Sequence, residues 1–404
     1  MRVIGIVAEY NPFHTGHQYQ ISESRRAVGG EAGVVAVMSG NWVQQAGCAI
    51  TDKWNRARLA LMGGVDLVLE LPTVWAVSSA ESFAQGAVDL LEATGVVDVL
   101  SFGSECGDVD RLQRVAVCLN SPVYETGVRR FVDEGMPFAS SRQETVRSIL
   151  GPDSSELLSA PNNNLGVEYL RELDRLKSSI LPMTVRREGA PHGVLLKVAE
   201  RPRFLSATQL RAFLEQESWE AAQLYLPQGG LEVLKEGWHG PPSLKRVERG
   251  LLANLRAMTA ENWAKLPDSG AAEGASVRLE RAGRNCRSLE EFFHLAKPRH
   301  WTASRTRRLL TWAYLGLTEA DRPDNPPYLR VLGLNARGQA ILKKMKSQAS
   351  LPILTKPAHA KALDEVGRSL FAQEARCTDL YDLCLESVPV PGREWTSGPV
   401  VVGN

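Results

Sequence analysis

At 404 residues the chain exceeds what one compact core usually holds, so two domains are expected, and 44% apolar residues are enough to furnish both cores. No apolar run approaches bilayer-spanning length and no charged leader precedes one, which predicts a cytoplasmic protein without membrane contact. A net charge of +1 excludes a uniformly acidic or basic chain, while Cys48, Cys106, Cys118, Cys286, Cys377 and Cys384 form no Cys-x-x-Cys pair and read as reduced core filler.

The first predicted element is a buried strand, Val3 to Val7, followed by NPFHTGH at 11–17 and then a helical pattern. A strand that turns sharply into a helix gathers backbone N–H groups and a positive helix end, a ready anion site. His14 and His17 bracket Gly16 at that point. A glycine there lets a phosphate approach the backbone, and the imidazoles can donate to phosphate oxygens as charge develops. Metal ligation by the His-x-x-His pair lacks a third ligand at suitable spacing, and the reading is of no metal site.

Strand-like runs recur at Val34 to Val37, Asp66 to Leu71, Val97 to Phe102 and Leu181 to Val185, with helical patterns near 52–63, 78–94, 108–119 and 166–177. That order predicts an α/β fold with a Rossmann-like, doubly wound parallel sheet, whose ligands bind at the carboxyl ends of the strands. The loops NPFHTGH, SGN and FGSE fall there. Ser39, Gly40, Asn41 and Asp52-Lys53 offer donors and a cation to the crevice, or else form a capped turn with a surface ion pair. Gly103 allows close approach of a nucleoside, or is a plain turn glycine. Pro161-Asn162-Asn163-Asn164 and Arg186-Arg187 supply amides and guanidinium groups suited to triphosphate oxygens.

From about residue 205 the strand signals stop and helical patterns take over at Leu251 to Met258, Leu289 to Leu295 and Arg305 to Leu315. The expected division is a nucleotide-binding domain over 1–205 and a mostly helical domain over 206–404. SATQLR at 206–211 is a capping signal with an arginine after it. Between Lys297 and Lys346 eleven Lys/Arg face three acids, a local excess of eight positive charges. Lys297, Arg299, Arg305, Arg307 and Arg308, interleaved with His300 and Trp301, suit RNA phosphates and a stacking ring.

A histidine turn at the front of a Rossmann-like domain, paired with a hydroxyl-rich helix start ending in arginine, resembles the HIGH-type nucleotidyltransferases. More specifically, GIVAEYNPFHTGHQYQ, VMSGNWVQ, TDKWNRARLAL, DLVLELP, SSAESFAQGAV, FGSE, PNNNLGVEYL, SATQLR, SRTRRLL and YLRVLGLN together resemble the bacterial tRNA(Met) cytidine acetate ligase family along nearly the whole chain. The resemblance implies an enzyme that activates acetate with ATP as acetyl-adenylate, releases pyrophosphate, and acetylates the exocyclic amine of the wobble cytidine in elongator tRNA(Met). No obligate protein partner is implied.

The ATP site it implies comprises Val7, Ala8, Glu9, Tyr10, Asn11, Pro12, Phe13, His14, Thr15, Gly16, His17, Gln18, Tyr19 and Gln20 with Gly103, Asn162 and Arg187, and Mg²⁺ is expected on the phosphates. Catalytic roles fall to His14, His17, Ser206, Thr208 and Arg211, the last three closing over the triphosphate. Two departures stand out. Gln44-Gln45-Ala46-Gly47-Cys48 replaces a Gln-Arg-Gly-Glu-Pro-like run, and the segment around His192 lacks the expected Tyr-His-Asp. The alternatives are an adenylyltransferase acting on a small phosphorylated metabolite and a noncatalytic RNA-binding protein with a degenerate nucleotide fold.

Overall fold

A computed structural model describes residues 1–45, 47–188, 203–267, 269, 274–296 and 302–403. The run VIGIVA forms β1 (Val3–Ala8), flanked in register by β2 (Gly33–Ser39) on one side and by β6 (Val99–Ser104) on the other, all parallel. Between them in sequence lie the short antiparallel pair β3 (Trp42–Val43) and β4 (Gly47–Cys48), and β5 (Leu67–Leu71), which pairs parallel with β2. β7 (Leu181–Arg186) extends the other edge beside β6. Alternate residues of β2 enter opposite cores: Val34, Ala36 and Met38 pack on one face, Val35 and Val37 on the other. Both faces are covered, which is why these strands read as continuous apolar runs.

The crossovers are helices, most of whose starts are fixed by the side chain of the N-cap residue. They include α1 (Thr15–Ala27), α2 (Lys53–Met62), α3 (Ala80–Ala93) and α4 (Pro161–Leu176), close to the ranges the periodicity predicts. Pro161 opens α4 without a side-chain cap. Asp52 caps α2 by accepting from the Asn55 N–H at 2.9 Å, and Ser79 caps α3. Beyond the sheet's parallel half lie α5 (Ala207–Glu215) and α6 (Ala303–Leu315), also capped, by Ser206 and Thr302.

The expectation that strands end near residue 205 is corrected. β8 (Leu329–Leu334) returns to the sheet and pairs antiparallel with β5, while β9 (Ile353–Leu354) and β10 (Val400–Val401) pair parallel with β8. The order of the main sheet is therefore β10-β8-β5-β2-β1-β6-β7. The run LRVLGL hid this strand because Arg330 interrupts it, yet Arg330 is 1% exposed and faces Glu394. The C-terminal part is thus helical but anchored to the N-terminal sheet.

A second correction concerns Asp52-Lys53 and the SGN loop. Lys53 is fully buried, not at the surface or in the crevice, with Nζ 2.6 Å from Glu70 Oε1 and 2.5 Å from Glu394 Oε2. Burial works against its charge, and the carboxylates of Glu394, Glu70 and Glu374 overcome that, holding its pKa above the usual range. Asp52 pairs instead with Arg393 at 2.6 Å. Asn41 accepts from the Lys53 N–H and donates to Thr378, and Arg56 donates to the Ser39 and Gly40 carbonyls. The whole loop is buried framework binding the last helices to the sheet. The six cysteines are free, four of them buried.

Candidate active site

β1 lies at the point where the sheet's crossovers diverge to either side, and in doubly wound sheets such a point leaves an open crevice beyond the strand ends. A cleft of about 440 Å³ occupies it. Its walls come from the end of β1 and the residues that follow it (Val7 to Asn11, His14, His17 and Gln20), Gly103 near the end of β6, Asn162 and Asn164 on α4, Arg187 after β7, and Ser206, Thr208 and Arg211 at the start of α5. Segments scattered over the sequence converge here, although the SGN loop, expected among them, does not line the cleft. The rest of the 7–20 segment lies behind this wall: Phe13 is buried in the core, where its ring explains the glycine at 63, and Thr15 donates its N–H to the Tyr225 carbonyl at 2.9 Å. Gly16 and Tyr19 border a smaller adjoining cavity, whereas Pro12 and Gln18 border neither.

The two histidines build the start of α1. His14 is its N-cap: Nδ1 accepts the Gly16 N–H at 3.0 Å, and Nδ1 of His17 accepts the His14 N–H at 3.2 Å, a reciprocal capping box made of imidazoles. With both Nδ1 atoms accepting, the hydrogen-bond network assigns the proton of each neutral ring to Nε2. Burial, with the charges of Arg187 and Arg211, lowers the His14 pKa to about 3; burial and His14 lower that of His17 as well. Both rings are therefore neutral Nε2–H donors at physiological pH. Gly16 has a more local reason than phosphate approach, since a Cβ there would lie 2.8 Å from the His14 ring.

Opposite the histidines, Arg211 Nη1 donates to the Asn11 carbonyl at 2.8 Å and Nη2 to Thr208 Oγ1 at 3.1 Å, while Ser206 Oγ accepts the Gln209 N–H at 3.2 Å. SATQLR is thus both a helix cap and a wall of the cleft. Asn162 is partly committed elsewhere: its Nδ2 donates to Glu105 Oε1 at 2.6 Å, and Glu105 Oε2 accepts the Asn163 N–H at 2.8 Å. The amide predicted for triphosphate oxygens is held by Glu105, which closes the N-terminus of α4. A Cβ at position 103 would lie 3.3 Å from the Arg187 stem, a tight contact that the glycine avoids.

Sequence reasoning missed the apolar wall of Ala80, Phe83, Phe102, Leu165 and Tyr169, and also Ser304. Phe83 and Leu165 look like ordinary core positions in their helices, so only packing separates them from the core. Ser304 and Arg308 carry a legible signal, an i, i+4 pair on one face of α6. Gln44 and Gln45 of the atypical loop line the cleft too.

Arg308, expected to contact RNA, lines the cleft beside Ser304, whereas Arg307 is exposed and Arg305 half-buried. Lys297, Arg299, His300, Trp301 and His192 lie outside the described residues. Part of the basic excess is structural: Arg330 is buried, and Arg322 pairs with Glu319. No helix among the described residues is long and apolar enough to cross a membrane.

The HIGH Nucleotidyl Transferase family profile matches residues 1–392. The chain is 38% identical to the tRNA(Met) cytidine acetate ligase of Caldanaerobacter subterraneus subsp. tengcongensis over 96% of this chain and 97% of that protein. It is 36% identical to the protein of the same name in Clostridium kluyveri, over 100% and 99%. Among solved structures, Thermotoga maritima TmcAL bound with alpha-thio ATP superposes with a TM-score of 0.91 at 31% identity, and its apo form with 0.92 at 32%, each covering 100% of both chains. A histidine-capped helix start facing a hydroxyl- and arginine-bearing one across β1, together with likeness over the full length, has one reading: the chain belongs to the HIGH nucleotidyltransferase family and, within it, to the tRNA(Met) cytidine acetate ligases.

Proposed function

We propose that this chain is an ATP-dependent ligase that converts acetate and ATP to acetyl-adenylate and pyrophosphate, then acetylates the exocyclic amine of the wobble cytidine of elongator tRNA(Met). The carrying observation is the convergence of His14, His17, Arg187 and Arg211 on one cleft whose far side is built by α6. In the first step an acetate oxygen attacks the α-phosphorus in line, the P–O bond to pyrophosphate breaks, and the transferred negative charge spreads over phosphate oxygens. The Nε2–H groups of His14 and His17 and the guanidinium groups of Arg187 and Arg211 are placed to stabilise that charge. The apolar wall of Phe83, Phe102 and Leu165 suits a flat nucleobase.

Mg²⁺ would have to be held by the phosphates. No cluster of three His, Cys, Asp or Glu among the described residues can hold a metal, and the described lining of the cleft contributes a single carboxylate. No step here is routed through it. For the acceptor, the exposed Arg307 and the neighbouring basic residues of α6 offer phosphate contacts at the rim, and an anticodon loop presents unpaired bases that enter a cleft at low cost.

The test is incubation with ATP, labelled acetate and tRNA, followed by digestion and mass spectrometry. Labelled 4-acetylcytidine with acetate, and none from acetyl-CoA, is expected. Turnover of ATP on a phosphorylated metabolite without any modified tRNA would overturn the reading.

A further inference from the structure

Acetyl transfer forms a C–N bond at an exocyclic amine, and that nitrogen must lose a proton before the product is neutral. Few groups in the cleft can receive it. The lone pairs of His14 and His17 at Nδ1 are occupied by backbone N–H groups, and their remaining ring nitrogens already carry protons. Arg187, Arg211 and Arg308 are cationic donors, and the rest of the polar lining consists of amides, hydroxyls and two tyrosines. Glu9 is the one carboxylate among the described lining residues.

Its position is fixed from three directions. It follows directly on β1, at the divergence of the crossovers, and Arg56 Nη1 of α2 donates to its carbonyl at 2.7 Å. The Gln44 N–H donates to its Oε1 at 2.7 Å, from the loop between β3 and β4. Such an anchor orients the carboxylate while leaving acceptor capacity, since an ionised carboxylate has about four lone-pair sites.

Resting on the function proposed above, we infer that Glu9 is the general base of acetyl transfer, accepting the proton of the cytidine exocyclic amine as that nitrogen attacks the acetyl carbonyl. The balance is complete. The new C–N bond forms, the C–O bond to the adenylate phosphate breaks with its electron pair leaving on AMP, and the proton goes to Glu9 and then to water. Burial raises the Glu9 pKa above the usual carboxylate value, which strengthens it as a base, while the Gln44 and Gln45 N–H groups and the charges of Arg211 and Arg56 oppose that rise. Of the other titratable groups lining the cleft with it, His14 and His17 are held neutral by burial, the hydroxyls of Tyr10 and of Tyr169 on α4 are pushed far up by burial and stay neutral, and Arg187 and Arg308 are cationic.

The experiment supplies synthetic acetyl-adenylate and tRNA(Met) directly, so that transfer is read without adenylation. Single-turnover formation of acetylcytidine is followed from about pH 5 to 8. In the wild type the rate constant should rise with pH and level off, because the base must be ionised to act. Glu9→Gln should lower it by about 10²- to 10⁴-fold and abolish that rise. Glu9→Asp should recover part, and formate should rescue Glu9→Ala, a response that a merely structural role would not give. Wild-type rate and an unchanged pH profile in Glu9→Gln would overturn the assignment of Glu9 alone. Failure of the wild type itself to acetylate tRNA from acetyl-adenylate would instead overturn the functional reading, and this inference with it.

Discussion

Arg211 donates from Nη1 to the carbonyl of Asn11, 2.8 Å away and 200 residues distant in sequence, so the guanidinium of α5 is locked to the histidine turn after β1. The same fork reaches Thr208. Arg211 thereby ties together the two helix starts that line the cleft.

Replacing Arg211 tests this arrangement. Arg211→Ala should raise the ATP requirement and slow pyrophosphate release, and Arg211→Lys should recover only part, because a single ammonium cannot serve Asn11, Thr208 and a phosphate in one plane. Thr208→Ala should cost no more than about 1 kcal/mol, since Ser206 is the actual cap of α5. Steady-state pyrophosphate release beside a thermal melt checks both, and normal kinetics in Arg211→Ala would assign the motif to structure alone.

In the proposed function the histidines serve catalysis and folding together. Loss of the Nε2–H donor in His14→Ala should lower acetyl-adenylate formation by about 10²- to 10³-fold. The same change removes a cap, at a cost of about 1 kcal/mol, so stability is not unaffected as it would be for an exposed loop residue. His14→Asn separates the two effects: an Asn side chain keeps the cap without placing a donor at the same point. Its melting temperature should stay near that of the wild type while pyrophosphate exchange falls, and exchange close to wild type would remove His14 from the phosphate site.

Neutral buried imidazoles also set a pH dependence. Because the folded-state pKa of His14 lies at about 3 and the unfolded value near 6.5, this contribution is fully present above about pH 6.5. It is lost as pH falls toward 3, since the unfolded chain then binds the extra proton. At about pH 5.5 the loss should be near 1.4 kcal/mol for this one group. Urea unfolding at pH 7.5 and 5.5 should show a smaller drop in His14→Asn than in the wild type, and equal drops would show that the ring is protonated in the fold.

Arg307 and Arg308, adjacent in sequence, should behave differently. Arg307→Ala should weaken tRNA binding and reduce its log–log salt slope by about 0.7 to 0.9, with adenylation intact. Arg308→Ala, which alters the cleft wall, should also change the kinetics of acetate activation. Salt-dependent binding measured next to pyrophosphate exchange distinguishes them, and identical behaviour of the two variants would place both on the RNA-facing surface.

The buried ion cluster predicts a stability effect far from the chemistry. Lys53→Ala leaves Glu70 and Glu394 without their shared cation and should cost about 3 to 5 kcal/mol. Lys53→Met combined with Glu70→Gln should cost less, because fewer charges are left unpaired. Chemical denaturation of the two variants checks the order, and a mild Lys53→Ala would mean that the cluster contributes little to holding α2 against the last helices.

The sequence by itself determined the parallel sheet, its crossover helices and the carboxyl-end loops, because apolar periodicity and capping residues are local properties of the chain. It also marked His14, His17 and SATQLR as helix starts, since a helix start announces itself by its cap, and the fold brings both to one cleft. Only the tertiary structure decided the rest. Arg330 inside a strand and Lys53 inside a core look like surface charges until Glu394 and Glu70 arrive from distant segments to neutralise them. Glu9 reads as one residue among fourteen in a motif until the cleft is assembled and no other carboxylate is found among its described walls. Burial and pairing depend on what the chain brings together across hundreds of residues, and no local pattern encodes that.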